Sequence, residues 1–151
     1  MTYWVQSWIN ELSKPDAITG LTVCPFAKKA WDHGFVKVID AQNLWDVVHR
    51  EVMSFGEHKV VMCVQEKPEQ EYEQLESSCA ALNRWFAFIG LDIWLLSYQT
   101  DKAIVFIQSL SELDSASIVL EKLGYYKDYD TDDYNRLIRQ RRNLRKGVVN
   151  A

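Results

Sequence analysis

The stretch IWLLSYQTDKAIVFIQ, residues 93–108, contains two apolar runs on either side of four polar residues. Both runs are short and rich in β-branched and aromatic side chains, so the stretch predicts a β-hairpin. A third run, KVVMCVQ at residues 59–65, is apolar at successive positions, which is typical of a strand covered on both faces. We expect IWLLSY and KVVMCVQ to be central strands with four almost inaccessible side chains: Val61, Cys63, Leu95 and Val105.

A further strand and two helices are predicted between residues 35 and 90. The β-branched run FVKVID at 35–40 is followed by apolar residues at helical spacing over 41–55, with Gly56 as the stop. Pro68 and the acids after it suit the first turn of a second helix, because an N-terminal turn tolerates proline and favours negative charge. The apolar stripe of that helix contains six side chains: Tyr72, Leu75, Cys79, Leu82, Phe86 and Ile89.

Two overlapping capping boxes precede the next helix, which we expect over residues 112–123. Ser109 pairs with Glu112, and Ser111 pairs with Asp114, in the Ser-x-x-acid pattern. In this pattern the serine oxygen accepts a hydrogen bond from a backbone N–H group of the first turn, which otherwise has no partner. The pattern therefore predicts where the helix begins.

These elements follow the order β-α-β-α-β-β-α. Helical segments at 2–13 and 26–31 precede this core, and a last helix begins at Asp130 or Thr131 and extends to about Lys146. We expect an α/β protein, α+β in stricter usage, with one four-stranded mixed sheet and helices against it. The element order is also that of the thioredoxin-like core. The 151 residues form a single predicted domain, because two domains would each be short of core.

The composition excludes several classes of protein. Hydrophobic residues make up 48% and charged residues 25% of the chain, as in folded globular proteins. No stretch approaches the roughly 18 apolar residues of a membrane helix, and no secretion signal is present, so we expect a cytoplasmic protein without a membrane partner. Three cysteines without regular spacing indicate a reducing compartment.

The motif L-x-x-C-P-F-A at residues 21–27 follows a tryptophan-bearing segment and resembles an uncharacterised bacterial domain-of-unknown-function family, numbered fourteen-fifteen. The basic final helix is similar as well, and the resemblance implies the element order but no activity. Cys-Pro-Phe-Ala also resembles the opening of the first helix in omega-class glutathione transferases and glutaredoxin-like proteins. In those folds a cysteine follows the first core strand and a proline precedes the third. In this sequence neither residue occurs at the corresponding position.

Cys24 is the candidate catalytic residue. Pro25 at the first helical position puts Cys24 at the helix N-terminus, where free N–H groups and the helix dipole stabilise a thiolate. Lys28 and Lys29, one turn later, would add positive charge and form part of the binding site. The alternative is a small buried residue that packs the helix against the body. The other two cysteines occupy apolar positions typical of inert core residues: Cys63 and Cys79.

The last helix carries most of the positive charge. From Thr131 onward six Arg and Lys against two acids give +4, so the net charge of −4 leaves −8 on the first 130 residues. Four cations near one face form a candidate binding surface: Arg136, Arg139, Arg142 and Lys146. They would contact phosphates or an acidic protein, or pair with the acidic body as surface ion pairs. A net negative protein is a poor match for nucleic acid.

Three functions remain open on these residues. The first is a protein-interaction or adaptor module that uses exposed Trp and Tyr side chains and the basic helix on a protein partner or in a homo-oligomer. The second is a thiol-dependent enzyme or glutathione-type binder at Cys24, and the third is a nucleic-acid accessory protein. We rank them in this order, because the sequence contains no complete catalytic constellation, and the question of enzyme activity stays open.

No metal site and no cofactor are expected. The histidines at 33, 49 and 58 lack the spacing of metal ligands, and a surface or structural role is predicted for His49. The acidic segment 128–133 lacks the glycine and glutamate of a calcium-binding loop. The six glycines are isolated, so no phosphate-binding loop is present.

Overall fold

The structure is a computed structural model that describes residues 31–56 and 60–150, apart from the side chains of Asp133, Arg136, Leu137 and residues 146–150. Its contacts divide the chain into two units, Met1–Val36 and Lys37–Ala151. The described part of the first unit is 31–36, where a helical turn ends before Gly34 and its positive φ of 72°. The single domain over 1–151 stays a prediction.

Four strands form one mixed sheet in the order β1-β2-β4-β3. Their bounds are Val36–Asp40 for β1, Val60–Gln65 for β2, Trp94–Gln99 for β3 and Ala103–Gln108 for β4. Strand β4 is antiparallel to both neighbours, with Ile107 opposite Val61 on one side and Leu95 on the other. The predicted hairpin is therefore confirmed. The central position expected for IWLLSY is wrong, because β4 takes the place next to β2 and leaves β3 at the edge.

Four helical regions within residues 37–150 accompany the sheet and confirm the order of elements predicted from residue 35 onward and the α+β class. They are α1 Leu44–Met53, α2 Tyr72–Phe88, α3 Leu110–Lys122 and a C-terminal helix composed of α4 Thr131–Tyr134, a π-helical turn Asn135–Arg139 and α5 Gln140–Asn150. The helical segment predicted at 2–13 and all but the last residue of that at 26–31 lie outside the described residues. Strand β1 lies at one edge of the sheet and β3 at the other. The thioredoxin-like order of elements stays a prediction.

Helices α1 and α2 pack on one face of the sheet. Leu44 and Val48 of α1, with Leu75 and Cys79 of α2, are buried in the same core cluster as alternate residues of β2, β3 and β4. The four side chains predicted to be inaccessible are confirmed, with exposed fractions of 2% or less: Val61, Cys63, Leu95 and Val105. Tyr72 and Ile89 were expected in the core and are exposed, because they lie at the two ends of α2.

Helix α2 begins later than predicted and ends at a glycine. Its N-cap is Glu71, so Pro68 lies before the helix rather than in its first turn. At the other end Gly90 adopts a φ of 75° and donates to the carbonyl of Ala87, while Leu91 donates to the carbonyl of Phe86. This pair of hydrogen bonds is a Schellman motif, which satisfies the last carbonyl groups of the helix.

Helix α2 also covers the open edge of β3. Asn83 is buried, and its Nδ2 donates to the carbonyl of Leu95 at 2.9 Å, while its Oδ1 accepts from the Leu95 N–H at 2.7 Å. The side-chain amide thus takes the place of a neighbouring strand at this residue. Edge strands with unpaired backbone groups promote aggregation, and this contact protects one such position.

The start of α3 confirms one capping box and corrects the other. Ser109 is the N-cap, and its Oγ accepts from the Glu112 N–H as predicted. Ser111 does not pair with Asp114. Its N–H and Oγ both donate to the carboxylate of Asp92, at 2.7 Å each, and Ser109 Oγ donates to the same carboxylate at 2.8 Å.

No helix in the described ranges 31–56 and 60–150 is both long and apolar enough to cross a membrane.

Candidate functional site

The candidate thiol site of the sequence, Cys24 with Lys28 and Lys29, lies outside the described residues. The other two cysteines are confirmed as buried core residues. Burial, followed by the charge of Glu51, raises the pKa of Cys63 to about 12. Burial, followed by the charge of Glu76, raises the pKa of Cys79 to about 12. Neither thiol forms the thiolate that nucleophilic chemistry requires near neutral pH.

The described residues contain no cluster of three His, Cys, Asp or Glu side chains that could hold a metal ion. His33 stacks on the ring of Phe35, with centroids 5.7 Å apart. His49, for which a surface or structural role was predicted, is exposed on α1, and His58 lies outside the described residues.

A buried ion pair joins α3 to the C-terminal helix. Arg141 Nε donates to Asp114 Oδ1 at 2.8 Å, and both side chains are more than nine-tenths buried. Arg145 approaches the other oxygen of Asp114 at 3.6 Å. The sequence predicted surface ion pairs on this helix, and Arg141 was not among its candidate residues. A buried pair differs from a surface pair because removing one partner leaves an uncompensated charge in the interior.

Arg142, a predicted binding residue, contacts the same helix. Its guanidinium donates to Glu121 at 2.8 Å and to Ser117 Oγ at 2.9 Å. Tyr134 Oη also donates to Glu121, and this hydrogen bond, followed by that of Arg142, lowers the pKa of the carboxyl. Arg142 therefore serves the contact between two helices of this chain.

Arg139 lies over an aromatic ring. Its guanidinium carbon is 5.7 Å from the centroid of Tyr134, a cation–π distance, and the residue is exposed. Tyr134 in turn meets Tyr126 edge-on, which also contacts Tyr125 and Tyr129. Burial raises the pKa of Tyr126 to about 12. For the remaining two predicted cations, Arg136 and Lys146, the side chains are outside the described part of the structure.

The buried side of α3 combines apolar and polar residues. Leu110 and Leu120 are buried there together with Asp114 and Ser117. Two apolar side chains of α3 and the residue at its C-cap are exposed: Ile118, Val119 and Leu123. The sequence pattern did not reveal this arrangement, because the partners of Asp114 and Ser117 lie 25 to 27 residues away in the chain.

Helix α2 exposes two aromatic rings near its C-terminal end. Trp85 is 55% and Phe88 is 77% exposed, and their rings stack with centroids 5.9 Å apart. Both residues belong to one row at spacings of three and four along the helix, which we call the outer face of α2: Gln74, Ser77, Ser78, Ala81, Trp85 and Phe88. The row lies opposite the buried stripe that contains Cys79 and Asn83. In the sequence, Trp85 and Phe88 do not belong to the apolar stripe of this helix. That position is the only signal by which their exposure could have been predicted.

The N-terminal half of the same face contains a shallow depression of about 540 Å³. Its lining consists of Gln70, Glu73, Gln74, Ser77 and Ser78. Within this lining, Oε1 of Gln70 is inaccessible to solvent and accepts no hydrogen bond. Such an acceptor is costly to bury without a partner.

The outer face of α2 combines a polar depression with two exposed aromatic rings. The lining of the depression contains the carboxylate of Glu73, two side-chain amides and two serine hydroxyls. Exposed tryptophan and phenylalanine rings bury large areas when a second surface covers them, and tryptophan is enriched among the residues that dominate binding energy.

Comparisons with known proteins identify no relative. The resemblance based on Cys24–Ala27 therefore stays a prediction from the sequence. This chain matches no family model, no curated protein and no solved structure.

Proposed function

We propose that this chain is a protein-interaction module and that it binds its partner through the outer face of α2. The observation that carries the proposal is the exposure of the stacked pair Trp85 and Phe88. Two adjacent rings that together could cover roughly 200–300 Å² form an anchor of the kind found at the centre of protein interfaces. Ile89 and Leu91, also exposed, extend the apolar surface around them.

The contacts of the C-terminal helix support placing a protein-interaction module before a nucleic-acid-binding protein or a thiol enzyme. Arg141, Arg142 and Arg145 are engaged by the carboxylates of α3, so they contribute little to a surface for phosphates. For a thiol enzyme the described residues offer only two buried cysteines, Cys63 and Cys79, with raised pKa values. A protein interface at α2 requires neither feature.

Site-specific photo-crosslinking tests the proposal. We expect p-benzoylphenylalanine in place of Phe88 to give a discrete covalent adduct with a polypeptide when cells that express the full chain are irradiated. The matched control carries the same probe in place of Val119, which is also more than half exposed but belongs to α3. The substitution Trp85→Ser in the probe-bearing chain should weaken the adduct strongly. No polypeptide adduct at position 88, or equal labelling at both positions, would contradict the proposal.

A further inference from the structure

The outer face of α2 is complementary to itself. Its C-terminal half projects the rings of Trp85 and Phe88, and its N-terminal half contains the depression lined by Gln74 and Ser77. Ala81, which is exposed, lies between the two halves. We propose that two copies of this chain associate through antiparallel α2 helices centred on Ala81, so that the rings of each copy fill the depression of the other. This inference rests on the proposed function and names the partner as a second copy.

The register follows from the spacing along the helix. Trp85 and Ser77 are each four residues from Ala81, or about 6 Å along the axis, and Phe88 and Gln74 are each seven residues away, or about 10 Å. A two-fold axis at Ala81 therefore places Trp85 opposite Ser77 and Phe88 opposite Gln74. A two-fold interface of this kind is isologous, so each contact occurs twice.

Side-chain size favours the same pairing. The centre of the face consists of Ser77, Ser78 and Ala81, which are small enough to let two helices approach closely. Two helix axes about 9–10 Å apart leave the facing Cα atoms about 4.4–5.4 Å apart. The large rings then project past the centre toward the depression of the partner. In a parallel pair the rings would meet each other and leave both depressions unfilled.

Charge favours the antiparallel orientation as well. Glu73 lies at the depression end of α2 and Arg84 at the ring end, and both are exposed. Antiparallel helices bring the acidic end of one copy toward the basic end of the other. A parallel pair would bring Glu73 next to its own counterpart, which is repulsive.

The area is that of a modest dimer. Four rings, two from each copy, cover roughly 400–600 Å², and the surface opposite them is of similar size, for a total near 1,000 Å². Interfaces at this lower limit are reversible and depend on concentration. The dimer should therefore form in the micromolar range rather than as a permanent assembly.

Sedimentation velocity of the full chain from about 1 µM to 1 mM tests the association, since a reversible dimer of this area dissociates within that range. We expect the mean mass to rise from the monomer value of 17.6 kDa toward twice that value. Trp85→Ser should raise the dissociation constant at least about tenfold. Val119→Ser on α3 is the matched control and should leave it unchanged. Circular dichroism of each variant establishes that it is folded.

Cysteine crosslinking tests the orientation. In a Cys24→Ser background, Ala81→Cys should form an intermolecular disulfide on mild oxidation, because the facing Cα atoms fall within the roughly 4.4–6.8 Å that a disulfide spans. Gln74→Cys is the control, since an antiparallel pair separates its two copies by about 21 Å while a parallel pair brings them together. Crosslinking of Gln74→Cys, with or without crosslinking of Ala81→Cys, would overturn the antiparallel register, and no crosslinking of Ala81→Cys would overturn the placement of the two-fold axis.

The outcomes separate this inference from the proposed function. A chain that stays at 17.6 kDa at every concentration, with the probe at position 88 attached to a different protein, overturns the dimer and leaves the interaction module standing. A chain that stays monomeric with no polypeptide adduct at position 88 overturns both.

Discussion

Helices α2 and α3 are both amphipathic, but the contacts on their buried sides differ. Helix α2 packs Leu75 and Cys79 against the sheet and is stabilised by apolar burial. Helix α3 directs Asp114 toward the C-terminal helix and leaves Val119 in solvent. The contrast teaches that the buried side of a helix in this protein depends on its partner surface, which is mainly apolar for α2 and adds a buried ion pair to Leu110 and Leu120 for α3.

The largest loss of stability is expected when one partner of the buried ion pair between α3 and the C-terminal helix is removed. Asp114→Ala leaves the Arg141 guanidinium buried without its carboxylate, which should lower the free energy of unfolding by about 3–5 kcal/mol. Urea denaturation followed by circular dichroism measures this change. The double variant Asp114→Leu with Arg141→Met should be close to wild type, since no buried charge is left unpaired and Arg145 is partly exposed to solvent. If the double variant lost as much as the single one, the pair would not be the main contact.

In α2 the matching substitution removes apolar surface that the helix buries against the sheet. Leu75 is 1% exposed, so Leu75→Ala should leave a cavity and lower the free energy of unfolding by about 2–5 kcal/mol. The same urea experiment measures it, and Val119→Ala on the exposed side of α3 is the control, with an expected change below about 0.5 kcal/mol. A large loss for Val119→Ala would mean that the apolar side of α3 is covered in solution.

An intermediate effect is expected at Asp92, which links the start of β3 to the start of α3. Asp92→Ala removes the acceptor of Ser111 and Ser109 and should cost about 0.5–2 kcal/mol at neutral pH, as for the loss of a helix cap. Thermal unfolding at pH 7 measures this cost, and Asp128→Ala in the exposed link before the last helix is a control with little expected effect.

The same carboxylate should make stability depend on pH. Partial burial of Asp92 raises its pKa, but the hydrogen bonds from Ser111 and Ser109 outweigh burial, so the pKa is lowered overall. A lowered pKa means that the folded state favours the ionised form. Its contribution is present above the ordinary aspartate value of about 3.9 and is lost as pH falls through the lower folded value. The stability of Asp92→Ala should therefore fall less than that of wild type below about pH 4.

The smallest effect belongs to the exposed part of the α3 contact. Glu121→Gln weakens the partly exposed pair with Arg142 and should lower the free energy of unfolding by about 0.2–1 kcal/mol. The difference from wild type should shrink in 1 M salt, where the screening length is about 3 Å. The loss from Asp114→Ala should persist under the same conditions, because buried charges are screened much less. Equal salt dependence in the two variants would contradict the distinction between the buried and the exposed pair.

Local chemistry made much of the fold predictable. The hairpin, the order of elements and the buried positions of Val61 and Cys63 follow from runs of β-branched residues and from glycine stops. The Ser109 cap was predictable because a helix N-cap acts within three residues. The position of β3 at the edge of the sheet was not predictable. Its apolar composition is that of a central strand, and strand order depends on pairings between residues far apart in the chain.

For the candidate site, the sequence and the tertiary structure supplied clearly different information. The sequence by itself determined that aromatic residues exceed what a small core requires and that positive charge is concentrated after Thr131. Only the tertiary structure decided that Arg141 and Arg142 contact α3 and that Trp85 and Phe88 remain exposed. The physical reason is that burial and ion pairing depend on which surfaces meet, and these contacts join residues far apart in the chain, where the sequence pattern carries no direct signal.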